Sequence, residues 1–154
     1  MVRHPPYVGV VGPSEAGPDL VDLARTAGAR LATRGWVVVT GGLGGVMAAA
    51  AAGAASAGGT VVGLLPGEHR SAASAGHTVV ITTGLGELRN ALLVRTCDAV
   101  LSVGGSWGTQ SEIALAVRAG LPVVSVAGWE QPAPGTEPYD DPAAAVDALG
   151  RRLG

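Results

Sequence analysis

The sequence predicts an α/β protein of the Rossmann-like class, with a mostly parallel sheet flanked by helices on both faces. Three observations carry this. Short apolar runs alternate with longer amphipathic ones. Several of the short runs are apolar at consecutive positions, as strands covered on both sides are. Glycine clusters stand where a strand ends and a helix begins. With 154 residues the chain suits one domain, and residues 1–154 are expected to form a single nucleotide- or phosphate-binding unit.

Strands are expected at Tyr7–Val11, Trp36–Thr40, Val61–Leu65, Thr78–Thr82, Ala99–Val103 and Pro122–Val126. The first helix, from Pro18 to Thr33, puts Leu20, Leu23, Ala24, Ala27 and Leu31 on one face. Pro18 suits its first turn and Gly35 its stop. A second helix, from Val46 to Ala57, is nearly all alanine and must pack very close to its neighbours. A third runs from Leu85 to Thr96, and a fourth from Thr109 to Ala119, closed by Gly120 and Pro122. After Val126 the stretch AGWEQPAPGTEPYDD reads as a Pro- and Gly-rich loop. A last short helix follows, with Asp141 as N-cap and Pro142 at its first position.

Composition narrows the chemistry. Hydrophobic residues make up 47% but aromatics only 3%, without Phe, so the core is built from Val, Leu, Ile and Ala. Net charge is −2 with no basic stripe, which argues against a nucleic-acid partner or a membrane surface. Cys97 is the only cysteine and no apolar run is long enough to span a bilayer, so a cytoplasmic protein is expected. All ten basic residues are arginines. Without lysine the chain can form no Schiff base with pyridoxal phosphate and no Walker-type phosphate loop.

Two segments, VVVTGGLGGVM and VLSVGGSWGTQ, share one plan: strand, Gly-Gly, two or three residues, then helix. The first amides of a helix lack internal partners and the helix dipole makes that end mildly positive, so an anion is stabilised there. Gly41, Gly42, Gly44 and Gly45 form one such mouth; Gly104, Gly105, Ser106, Trp107, Gly108 and Thr109 form the other. A third loop, Gly12, Pro13 and Ser14, opens on the same sheet edge, where ligands of open α/β folds bind. A small phosphorylated ligand held by backbone amides, hydroxyls and arginine is the expectation.

Glu112 has two readings. In Thr109-Gln110-Ser111-Glu112 it could close a capping box onto the Thr109 amide, or it could serve chemistry at the ligand edge. Arg89 lies early in the third helix, near the same edge, with Asn90 beside it; Arg95 lies about 9 Å further along the helix axis and is read as structural. Trp107 could stack on a base or act as a lid. His4, His69, His77 and Cys97 show no metal-ligand spacing, so no metal site is expected.

Gly41-Gly42-Leu43-Gly44-Gly45-Val46-Met47 and Gly105-Ser106-Trp107-Gly108-Thr109-Gln110-Ser111-Glu112 together resemble the paired motifs of the Lonely Guy family. Members, often mislabelled lysine decarboxylases, hydrolyse nucleoside 5′-monophosphates at the N-glycosidic bond. The resemblance implies Arg89 and Glu112 as the catalytic pair, Met47 within the ligand-binding motif, and a homodimer or homotetramer. The chain departs from that pattern at Asn90, Gly104 and Ser111, where the hydrolases carry lysine, proline and a second glutamate. These differences make it more similar to a subgroup that includes molybdenum cofactor carrier proteins. That resemblance implies an alternative: no required cofactor and no hydrolysis, with a phosphorylated pterin such as molybdenum cofactor as carried ligand. The absence of lysine independently excludes a pyridoxal-dependent lysine decarboxylase.

Overall fold

The computed structural model describes residues 3–154. Seven strands form one sheet in the order β4-β3-β2-β1-β5-β6-β7, and every pairing is parallel. In chain order they are β1 (Tyr7–Val11), β2 (Val37–Thr40), β3 (Val61–Leu65), β4 (Val79–Thr82), β5 (Ala99–Val103), β6 (Val123–Val126) and β7 (Thr136–Tyr139). The helices are α1 (Pro18–Thr33), α2 (Val46–Ser56), α3 (Arg89–Thr96), α4 (Trp107–Arg118) and α5 (Pro142–Leu153). The Rossmann-like α/β class is thus what forms. Helices α1, α2 and α5 pack over one face of the sheet, and α3 and α4 over the other.

Six strands fall within a residue of expectation because runs such as VVVT and AVLSV leave little choice to a chain whose strands are buried on both sides. The stretch after Val126 requires a correction. It is not all loop, since Thr136–Tyr139 joins β6 as β7 at the sheet edge. Glu137 and Pro138 hid it, for Pro lacks a ladder donor and is tolerated only where one side of the strand is unpaired.

The alanine-rich α2 meets α1 backbone to backbone. A Cβ on Gly28 of α1 would collide with the Ala50 carbonyl, and one on Gly53 of α2 with the Arg25 carbonyl. Two reciprocal glycines and a run of alanines therefore set this close approach, and α2 is consumed inside the chain.

Coverage of the other face is incomplete. Val79 and Ile81 of β4 pair with Val62 and Leu64, which belong to the core beneath α3 and α4, yet both lie exposed. Leu85, Leu88 and Leu92 follow on the next connection and on α3, also exposed. No helix among the described residues is long and apolar enough to cross a membrane.

Candidate functional site

Strand order reverses between β1 and β5, where the chain crosses from one half of the sheet to the other. A crevice opens at the carboxyl ends of strands at such a point. Here it is a cleft of about 360 Å³. The β1 loop gives Gly12 and Ser14 to its wall; the β2 loop and α2 give Leu43 and Met47. Ser106, Gly108, Thr109 and Glu112 come from the start of α4, and Arg89 and Asn90 from α3. Pro66, Gly86 and Glu87 complete the lining and were not anticipated. They follow β3 and β4, and only the sheet order could have pointed to them.

Arg89 and Glu112 are each only 7% exposed. Burial lifts the Glu112 carboxyl to about 7 from an ordinary 4.5, and the Arg89 charge pulls the other way without cancelling it. Burial likewise lowers the Arg89 pKa, with the Glu112 charge opposing. The pair attract but do not touch: the ion pairs within 4.0 Å among the described residues are Arg34–Asp147 and Arg152–Glu137, both at the surface. The Arg89 Nε is buried without a hydrogen-bond partner. An unpartnered buried guanidinium nitrogen is costly.

The capping-box reading of Glu112 fails. Helix α4 begins at Trp107, two residues earlier than expected, and its N-cap is Ser106, whose Oγ accepts from the Thr109 amide at 3.2 Å. Glu112 is thereby free of a capping duty. The Ser106 cap claims Thr109 N–H and leaves the first two amides of the helix, those of Trp107 and Gly108, unclaimed by it. A Cβ on Gly108 would meet nothing nearer than Ser106 Oγ at 3.8 Å, and Gly108 lines the cleft.

At the other glycines protein approaches protein closely, and some of the amides at these loops already have protein partners. Gly42 N–H donates to Thr40 Oγ1 at 3.0 Å and Val46 N–H to the Pro13 carbonyl at 3.0 Å. Gly12 lies against Val46 and the Val103 carbonyl, and Gly45 against Pro13 and Ser14. Gly44 has the Ser14 carbonyl near it, and Gly104 the side chains of Leu20 and Pro13. Gly41 carries the Arg89 guanidinium and Gly105 the Trp129 ring, each where a Cβ would sit. Pro13, Gly41, Gly42, Gly44, Gly45, Gly104 and Gly105 are not among the residues that line the cleft, and Trp107 stands exposed beside it, between the lining residues Ser106 and Gly108.

Asn90 Nδ2 donates to Ser111 Oγ at 3.3 Å, and Ser111 Oγ donates to the Gly108 carbonyl at 2.6 Å. Trp107 is 81% exposed and meets Trp129 edge to face, with ring centroids 5.0 Å apart. Cys97 is buried, and burial, then the Asp98 and Glu112 charges, push its thiol up to about 12, so it is unreactive. Among the described residues no three His, Cys, Asp or Glu side chains group as a metal site.

Residues 5–147 match the sequence profile of the SLOG cluster4 family, a span holding every residue of the cleft. The chain belongs to the SLOG cluster4 family. An uncharacterized protein of Archaeoglobus fulgidus is 41% identical to this SLOG cluster4 chain over 119 residues, 77% of the chain and 78% of the relative. The molybdenum cofactor binding protein of Rippkaea orientalis superposes with a TM-score of 0.92 at 30% identity, covering 99% of this chain and all of that one. The molybdenum cofactor carrier protein of Chlamydomonas reinhardtii gives 0.87 at 32% identity, covering 97% and 99%.

Proposed function

We propose that the chain binds a phosphorylated planar heterocycle in the cleft and carries it without breaking it, a phosphorylated pterin of the molybdenum cofactor type being the best fit. The carrying observation is the Arg89 guanidinium, buried beside the cleft with Nε lacking a protein acceptor. A phosphate in the cleft would meet that guanidinium charge, for which no carboxylate among the described residues lies within ion-pair distance. Gly108 and Trp107 N–H at the start of α4 supply further donors, and the dipole of that helix favours the same charge. The exposed indole of Trp107, braced by Trp129, offers a flat apolar face to a ring system. Similarity to the two molybdenum cofactor proteins supports the pterin.

Hydrolysis of a nucleoside 5′-monophosphate is the second reading, favoured by Glu112, a carboxyl poised near neutrality beside Arg89. In it Glu112 would stabilise the cationic ribose or orient water. The neutral Asn90–Ser111 contact weighs towards carriage, since both charges of the hydrolase pattern at these positions are gone. Denaturing freshly purified protein and identifying the released small molecule by mass spectrometry tests the carrier. Release of adenine and ribose 5-phosphate from AMP, lost in Glu112→Gln, would establish the hydrolase instead.

The uncovered apolar row of Val79, Ile81, Leu85, Leu88 and Leu92 supports a homo-oligomer in which a second copy supplies the missing cover. Leu88→Glu is then expected to halve the mass measured by light scattering.

A further inference from the structure

His77 lies outside the cleft lining, yet it is wired to the loop that seats Arg89. Its Nδ1 is 2.9 Å from the Ser74 carbonyl, which can only accept, so Nδ1 carries a proton. Its Nε2 is 2.7 Å from Thr40 Oγ1, and that oxygen accepts from Gly42 N–H at 3.0 Å. With a neutral ring all these groups are satisfied in one direction: Gly42 N–H to the Thr40 oxygen, the Thr40 hydroxyl to Nε2, and Nδ1–H to Ser74. Ser74 N–H in turn donates to the Gly42 carbonyl at 2.9 Å. Both polar groups of the Gly42 peptide backbone are thus held by the Ser74–His77 segment, one directly and one through Thr40.

The ring is fitted to its place. It lies over Gly63, where a Cβ would stand 2.8 Å from His77 Cδ2. Thr40 is fully buried, so its hydroxyl has no water to turn to. The elements around the ring, β2, β3, β4 and α2, carry no charged residue, and Glu68, His69 and Arg70 on its own connection are exposed. The consequence falls on the neighbours of Gly42. Gly41 bears the Arg89 guanidinium against its Cα, and Leu43 forms part of the cleft wall. Gly42 itself has φ +80, a conformation that few other residues hold without support.

We propose that His77 is a positioning residue of the cleft, acting through the Thr40 hydroxyl on Gly42 to hold the seat of Arg89. The inference rests on the reading of Arg89 as the anion anchor.

Two readouts separate the failure of one from failure of the other. In ligand-free protein, the Gly42 amide resonance in a 15N–1H spectrum is expected to move in His77→Leu and in Thr40→Val. It should return towards its wild-type position in His77→Gln, whose Oε1 can accept from Thr40, and in Thr40→Ser. With AMP as probe, His77→Leu and Thr40→Val are each expected to weaken binding about tenfold, and the double variant no further, because one chain of bonds is broken in either place. Tight AMP binding that is unchanged in His77→Leu, or additive losses in the double variant, would overturn the proposal. So would a Gly42 resonance indifferent to His77. If the wild type binds no AMP but the Gly42 resonance responds as stated, the wiring stands and the anchor reading is what falls.

Discussion

Asn90 of α3 and Ser111 of α4 share a hydrogen bond of 3.3 Å at the mouth of the cleft. Both positions are charged in the hydrolase pattern, lysine at one and glutamate at the other, and both are neutral here. Here a neutral hydrogen bond joins the two helices. In a double-mutant cycle, Asn90→Ala should lose about 0.5 kcal/mol of stability and Ser111→Ala more, because it also forfeits the bond to the Gly108 carbonyl, with the double variant no worse than Ser111→Ala. Urea unfolding measures it, and full additivity would show that the two side chains do not interact.

Arg89 should trade stability against binding. Replacement by Met keeps an unbranched apolar stem and removes a buried guanidinium whose Nε lacks a partner. The ligand-free Arg89→Met protein is expected to gain about 1 kcal/mol in unfolding free energy. The same change should weaken binding of AMP or a phosphorylated pterin by roughly 10- to 100-fold, the worth of a charged hydrogen bond. Calorimetry and thermal melts report the two effects separately. A loss of stability with no change in affinity would place Arg89 in a structural role.

Glu112 gives stability a slope with pH. Its carboxyl sits near 7 in the folded protein, raised by burial, against 4.5 ordinarily. Between those values the folded state holds a proton the unfolded state has released, so stability is greatest below about 4.5 and falls as pH rises through 7. Relative to Glu112→Gln, which cannot titrate, the wild type is expected to lose up to about 3 kcal/mol between pH 5 and 8. Parallel pH profiles for the two proteins would refute this. Affinity for a phosphate-bearing ligand should also improve as pH falls through the same window, since protonation removes a negative charge beside the anion.

Gly53→Ala tests the close approach of α1 and α2. Its new methyl would meet the Arg25 carbonyl, which belongs to a helix and cannot step aside alone. A destabilisation of about 1–3 kcal/mol is expected, despite the higher helix propensity of alanine. A gain in melting temperature would mean that the helices sit further apart than the glycines require.

Much of the cleft can be read from the sequence because it is built at chain punctuation. Glycines after β1, β2 and β5, Arg89 at the start of α3 and Glu112 a turn into α4 announce themselves locally. Pro66, Gly86 and Glu87 do not, since nothing local distinguishes them from surface turns until β3 and β4 take their places in the sheet. The Thr40–His77 bond joins residues 37 apart in sequence and leaves no periodic trace.

By itself the sequence determined a parallel, doubly covered sheet from aliphatic strand runs, a glycine-lined edge, and chemistry without any amine side chain. Tertiary structure alone decided how that edge is used. Most of the glycines have protein packed where a Cβ would sit, Ser106 rather than a capping box closes α4, and a buried arginine is left with a nitrogen unpaired. The reason is physical: backbone permissiveness and hydrophobic period are properties of short segments, whereas the partner of a bare glycine or a buried charge is fixed only when distant segments pack.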